Sequence, residues 1–333
     1  MRHAHAPGSS SLLAFLARRL LWAVFLFFAA TIVTYVLFWI VPPNPGGLKP
    51  ASQLGPSAAA ELRHYLRLDE PIWKQYLDFL WRLVGHQSLG YSFVNRESID
   101  AIVGHAAPVT ASLVLGGAII WLCVSVPLGV LAARRPRSIT DRAVMVLALI
   151  GISAPPFWIG LILSYVVGFR LGLTPIAGYC DLRGSRPGEC SGAIPWAYHL
   201  LLPWLTFSLL FAALYIRLVR ANVIETGVED YVRTARSKGA TESRVLIHHV
   251  LRNSMLPVVT VFGMDVGLAI GTALFTENVF GLPGLGNRMI QAYGFDDMPL
   301  ITGIVMFTAI CVVVTNLIVD VAYALLDPRI RFW

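Results

Sequence analysis

Six stretches of the 333-residue chain stay predominantly apolar for long enough to cross a bilayer: Leu20–Val41, Pro108–Ala133, Ala143–Phe169, Ile194–Ile216, Met255–Thr276 and Leu300–Leu326. A hydrocarbon layer about 30 Å thick needs about 20 such residues in a helix. The first four contain no Asp, Glu, Lys or Arg, and the last two carry one each, Asp265 and Asp320. The pattern predicts an all-α polytopic membrane protein with six transmembrane helices. The first run is too long for a signal-peptide apolar region and no small-x-small cleavage site follows it, so it is expected to be retained. Between the first two runs, Ile72–Val84 repeats its apolar residues every third or fourth position, which suits a short helix on the membrane surface. Ser98–Val103 reads in the same way. No internal repeat is visible, which weighs against an inverted-repeat secondary transporter.

Composition narrows the class further. The chain is 56% hydrophobic and only 14% charged, with a mean hydropathy of +0.67; that is too few charges to cover a soluble globule of this size. With a cytoplasmic amino terminus, the inside segments hold sixteen of the 26 basic residues and six of the 19 acidic ones, and the outside segments hold eleven acidic residues. This is the charge bias that orients membrane proteins, and it places both termini and the loop near 217–254 in the cytoplasm. The net charge of +7 follows from that bias and is no sign of nucleic-acid binding.

Enzyme chemistry finds little support. Only Lys49, Lys74 and Lys238 are present and none follows a glycine, so the chain has no phosphate-binding Walker loop; it has no Gly-x-Ser-x-Gly elbow and no His-Glu-x-x-His zinc site either. No catalytic, cofactor or metal residue is expected. His248 and His249 are adjacent and point to different helix faces. Cys123 and Cys311 lie in apolar runs as small hydrophobes. Cys180 and Cys190 flank a turn-rich outer loop on the oxidising side, where they form a disulfide or stay as two thiols.

Two polar features remain. On the fifth run Gly263, Gly267 and Gly271 form a small-residue stripe suited to close helix approach. Asp265 lies about 200° around the helix from Gly263 and faces away from that stripe; it either lines a pathway or is satisfied by neighbouring polar groups. Asp320 is expected to pair near the cytoplasmic interface. In the cytoplasmic loop, Val228–Lys238 is helix-compatible, Gly239 falls where a left-handed residue ends a helix, and Thr241 with Glu242 suits the start of another. Helix, glycine corner, helix is the predicted result.

That loop, Glu229-Asp-Tyr-Val-Arg-Thr-Ala-Arg-Ser-Lys-Gly239 followed by Leu256-Pro257, resembles the "EAA" loop of ABC-importer permeases in its dipeptide/oligopeptide form. Ser88-Leu-Gly-Tyr-Ser-Phe, Ser153-Ala-Pro-Pro-Phe-Trp, Thr276-Glu-Asn-Val-Phe-Gly-Leu-Pro-Gly-Leu-Gly286 and the ending Tyr323-Ala-Leu-Leu-Asp-Pro-Arg-Ile-Arg331 resemble the first, B-type permease of the same family. The resemblance implies the type I ABC-importer permease fold. It divides the chain into residues 1–41 (amino terminus and first span), 42–107 (an extracytoplasmic segment) and 108–333 (a five-helix core). It implies a subunit of an ATP-driven importer of short peptides in the bacterial plasma membrane, with a second homologous permease, two ATPase subunits that hold ATP and magnesium, and an external substrate-binding protein. Tyr231, Val232, Arg233, Thr234, Ala235, Arg236, Lys238, Gly239 and Ala240 would meet the ATPase. Nickel chelates, opines or glutathione are alternative cargoes of the same machine, and a stand-alone secondary transporter is the rival of another class.

Overall fold

A computed structural model describes residues 9–37, 70–86, 88–92, 94–182 and 190–326. Most of the outer segment between the first span and Glu70, the tip of the outer cysteine loop, the closing Asp327-Pro-Arg-Ile-Arg motif and the Asp320 side chain lie outside the described residues. The elements in chain order are α1 (Ser9–Tyr35), α2 (Ile72–Gly85), β1 (Tyr91–Ser92), β2 (Glu97–Ser98), α3 (Ile99–Arg134), α4 (Ile139–Ser153), α5 (Pro156–Arg170), α6 (Ala193–Gly227), α7 (Asp230–Ser237), α8 (Glu242–Phe280), α9 (Leu285–Gly294) and α10 (Met298–Leu326). Among the described residues five helices are long and apolar enough to cross a membrane, and the bent α4–α5 pair brings the number to six when its two halves are counted as one span.

That break corrects the expectation of one continuous helix over Ala143–Phe169. α4 and α5 meet at 102°. The cause is local: Pro155 has no N–H to donate and pushes Ala154 into an extended conformation (φ −91°, ψ 129°), while Pro156 opens the next helix where a missing donor costs nothing. A second correction concerns Ser98–Val103. Ser98 belongs to a two-stranded antiparallel hairpin in which Tyr91 pairs with Ser98 and Ser92 with Glu97, and Ile99 already begins the 36-residue α3. The expected surface helix is the first turn of the second span.

The chain forms two compact units, one of Met1–Pro108 with Arg288–Trp333 and one of Val109–Asn287. In the first, α1 packs along α10. The amphipathic α2 is tied to α1 by Thr31 with the Tyr76 hydroxyl (2.8 Å) and by the Tyr35 hydroxyl donating to Gln75 (3.2 Å). Asp297, almost fully buried just before α10, accepts from the Leu300 N–H, the Ser92 hydroxyl and the Asn95 amide. One carboxylate therefore caps α10 and fastens the hairpin to it.

In the second unit α6 is the central helix, with α4, α5 and α8 packed around it. Its core is aromatic: Trp121 stacks on Phe211 (centroids 4.4 Å apart) and meets Tyr215 and Phe262 at 5.8 and 5.5 Å. Outward-facing Leu115, Ile119, Leu147 and Leu268 are exposed, as lipid-facing side chains of spans are. Of the glycine stripe, Gly263 and Gly267 are buried but Gly271 is exposed with open space around it, so two of the three positions serve helix contact.

Candidate functional site

The connection from α6 to α8 is built on one apolar anchor. Val232 is fully buried in the same cluster as Val219, Val223, Val245 and Val250, and Ala235 and Ala240 pack at its edge. Burying a side chain of this size contributes about 1.5–3 kcal/mol. With that face turned inward, Tyr231, Arg233, Thr234 and Arg236 of α7 and Lys238 just after it stand exposed. The Tyr231 hydroxyl accepts from the Asn253 amide at 2.8 Å, and the Thr234 hydroxyl donates to the Asp230 carbonyl at 2.9 Å.

α7 stops at Gly239, whose φ is +82°. The Ala240 N–H bonds to the Ala235 carbonyl (3.2 Å) and the Gly239 N–H to that of Arg236 (2.9 Å). This paired closure satisfies two carbonyls at the helix end and needs a left-handed residue. Thr241 sits in the extended conformation of a helix N-cap, but its side chain makes no capping bond; its carbonyl accepts from Val245 instead. Arg236 spans the corner, reaching Glu242 at 2.9 Å and the Gly227 carbonyl at 3.3 Å, the latter at the end of α6. The nine residues expected to meet an ATPase thus form one element: Val232 faces the core, Ala235 and Ala240 are half-buried, and the rest are in solvent.

Two buried carboxylates organise the second unit and were not singled out from the sequence. Asp141 is 3% exposed and accepts two bonds from the Arg220 guanidinium, at 2.6 and 2.7 Å, with a third from the Arg137 N–H at 2.8 Å. Ser138 caps the same turn by accepting from the Asp141 N–H. The spacing Ser138-x-x-Asp141 is a capping-box signal that was legible in the sequence; the partner 79 residues away was not. Glu277, counted from the sequence among the outer acidic residues, is fully buried in the last turns of α8. It accepts from the Thr110 hydroxyl (2.5 Å) and from the N–H groups of Gly286 (2.7 Å) and Asn287 (3.1 Å). Thr110 accepts in turn from the Leu285 N–H, which fixes its proton toward Glu277. A Cβ on Gly284 would collide with the Glu277 carboxylate, and one on Gly286 would collide with Leu274 first, so Gly284 makes room for the carboxylate and Gly286 for close approach to α8.

Asp265 is half-buried and accepts from the Tyr215 hydroxyl at 2.8 Å. Cys180 and Cys190 are joined as a disulfide, with His199 Nδ1 3.2 Å from the Cys180 sulfur. These three residues form a cluster with metal-ligand spacing, but bonded sulfurs do not ligate as thiolates.

Residues 125–332 match the family described as the binding-protein-dependent transport system inner membrane component, and residues 12–114 match the amino-terminal region of such membrane components. The chain belongs to this family. It has the type I ABC-importer permease fold and is a permease subunit of an ABC importer. It is 35% identical to the dipeptide transport system permease protein DppB of Escherichia coli strain K12, covering 96% of this chain and 99% of that protein. It is likewise 35% identical, with the same coverage, to the di/tripeptide transport system permease protein DppB of Pseudomonas aeruginosa.

Proposed function

We propose that this chain forms half of the pathway of an ATP-driven importer of short peptides, paired with a second homologous permease and supplied by an extracytoplasmic binding protein. The names of its relatives support the cargo. The observation that carries the mechanism is the α7 corner: an anchored inner face, a rigid glycine closure and an outer face of unburied polar residues. An ATPase pair, holding ATP and magnesium, docks on Tyr231, Arg233, Thr234, Arg236 and Lys238. Its motion passes through Val232 and the Gly239 corner into α6 and α8, because both helices share the cluster that holds Val232. Both termini and this corner lie on the cytoplasmic side of the bacterial inner membrane, in keeping with the basic bias of those segments.

Tyr215 is the neighbouring polar group expected of a satisfied carboxylate, and the half-exposed edge of Asp265 is what supports a place in the pathway as well. Its half-exposed carboxylate is held by Tyr215 and carries a charge complementary to a peptide amino terminus, a cation costly to pass through a low-dielectric interior. The test is uptake by proteoliposomes containing the whole importer. Labelled dipeptide is expected to accumulate only with ATP and binding protein, and uptake without either would overturn the proposal. With Asp265→Asn, transport of a peptide with a free amino terminus is expected to fall more than that of its acetylated analogue. Equal loss would assign Asp265 to helix packing.

A further inference from the structure

Beside the corner, between the end of α3, the turn into α4, the end of α6 and the start of α8, lies a cavity of about 630 Å³. Small-molecule sites occupy roughly 300–1,000 Å³. Its walls divide by chemistry. Leu131, Val223, Leu246 and Val250 give an aliphatic floor, whereas Arg134 and Arg135 stand at the rim. Arg236, which also lines the cavity, is engaged by Glu242 at 2.9 Å. Arg134 and Arg135 are exposed and have no ion-pair partner among the described residues.

The position matters as much as the lining. The apolar run of α3 ends at Ala133 and Arg134 and Arg135 follow it directly, an order that suits the border between hydrocarbon and headgroups. Leu131 (46% exposed) and Val228 (71% exposed) also line the cavity and carry its apolar surface outward.

We propose that this cavity binds an anionic phospholipid, with its phosphate between Arg134 and Arg135 and an acyl chain over Leu131 and Leu246. Basic pockets between spans on the cytoplasmic side take such headgroups. An acidic loop of a protein partner would meet the rim but leave the aliphatic floor uncovered. A choline headgroup would add a cation to a rim that already carries Arg134 and Arg135. Arg236 and Glu242 line the cavity and belong to the corner itself, so a lipid bound there touches the α7–α8 connection directly. The inference is independent of the cargo.

Native mass spectrometry of the purified importer complex, delipidated and then titrated with phosphatidylglycerol or phosphatidylcholine, tests it. Phosphatidylglycerol is expected to bind more tightly. Each guanidinium near an anionic group is worth a factor of about five, so Arg134→Gln with Arg135→Gln is expected to weaken that binding roughly 30-fold. The double Lys variant keeps both charges and most of the affinity. Equal affinity for the two lipids, or no change in the Gln variant, would overturn the proposal. Loss of the ATPase subunits with unchanged phosphatidylglycerol binding would give the cavity to the ATPase interface instead. Should the Gln variant fail to assemble, a photoactivatable phosphatidylglycerol on the wild-type complex is expected to label the segments of Leu131 and Leu246; labelling confined to other segments would equally refute it.

Discussion

At its first residues α8 receives the chain from α7 through Gly239, and at its last it turns through Gly281, also left-handed at φ +59°, toward α9. The first corner is held by one aliphatic side chain, Val232, and leaves its ion pairs in solvent. The Arg236–Glu242 side chains are 43% and 71% exposed, and Arg233 reaches Asp230 only at 3.9 Å. The second corner does the reverse. Its one carboxylate, Glu277, is fully buried, and the Thr110 hydroxyl and two backbone N–H groups converge on it. A corner whose polar groups face outward has donors and charges to offer a partner and loses little stability when they change. A corner whose polar groups face inward fixes a shape and tolerates almost no change. If the proposed docking on α7 holds, the two ends of one helix are specialised, one for contact and one for rigidity.

The largest effect is expected at the rigid end. Glu277→Ala removes the acceptor of one buried donor, the Thr110 hydroxyl, and of two half-buried backbone N–H groups; each buried donor left unsatisfied costs about 1–3 kcal/mol, and the half-buried ones cost less. A loss of about 3 kcal/mol is expected, read as a large fall in the melting temperature of the detergent-purified complex or as failure to accumulate. Glu277→Gln keeps the shape and one acceptor oxygen and should lose less. A variant with Ala that melts like the wild type would abolish the contrast between the two ends.

Next comes the anchor of the contact end. Val232→Ala deletes two methyl groups from a site with no solvent exposure, worth about 2 kcal/mol at about 0.8 kcal/mol per buried methylene-sized group. The loss is expected to be local, as faster amide hydrogen exchange across α7 with little change at α9. Unchanged exchange in α7 would mean that something other than Val232 holds the corner.

What the sequence disclosed follows the same division. The six spans were legible because a bilayer demands long apolar runs whatever their neighbours are. The corner at Gly239 was legible because its determinants, a helical stretch, a glycine and a polar restart, are contiguous. The Ala154 bend was hidden inside an unbroken apolar run, since hydropathy carries no direction, although Pro155-Pro156 held the signal. The hairpin of Tyr91–Ser92 with Glu97–Ser98 is too short for a two-residue alternation to register. Glu277 looked like one more outer charge because its partners, Thr110 and the Gly286 and Asn287 amides, are defined only once α3 and the start of α9 pack beside it. Asp141 was likewise silent about Arg220. Contacts between distant parts of the chain lie outside what local patterns can express.

A smaller stability effect, with a larger functional one, is expected at Gly239. A side chain would meet nothing within 4 Å there, so the whole cost of a substitution lies in the backbone. Holding an L-residue left-handed costs about 1–2 kcal/mol, and a β-branched one sits at the upper end. Gly239→Val is expected to insert and assemble its own spans, yet to reduce ATPase co-purification and ATP-driven uptake. Gly239→Asn, which tolerates this conformation, should recover much of both. Normal uptake by the Val variant would count heavily against the corner as the point of coupling.

The smallest expected change in stability is at the Arg236–Glu242 pair, where the comparison is sharpest. Exposed ion pairs contribute about 0.2–1 kcal/mol, so a double-mutant cycle with Arg236→Ala and Glu242→Ala should give a coupling energy within that range in the isolated permease pair. In the full importer the same cycle is expected to give a different coupling for ATPase affinity, because docking removes the pair from water and strengthens each charge–charge term. The Glu242→Ala variant alone also frees the Arg236 guanidinium, leaving only its bond to the Gly227 carbonyl. If that freed charge meets an acidic surface on the ATPase, affinity rises; if it meets a basic one, affinity falls. Either shift marks the outward face of α7 as part of the interface. Identical coupling with and without the ATPase would mean that the exposed pair faces only solvent in the assembled machine, and the contact end would then have to be sought elsewhere on the cytoplasmic surface.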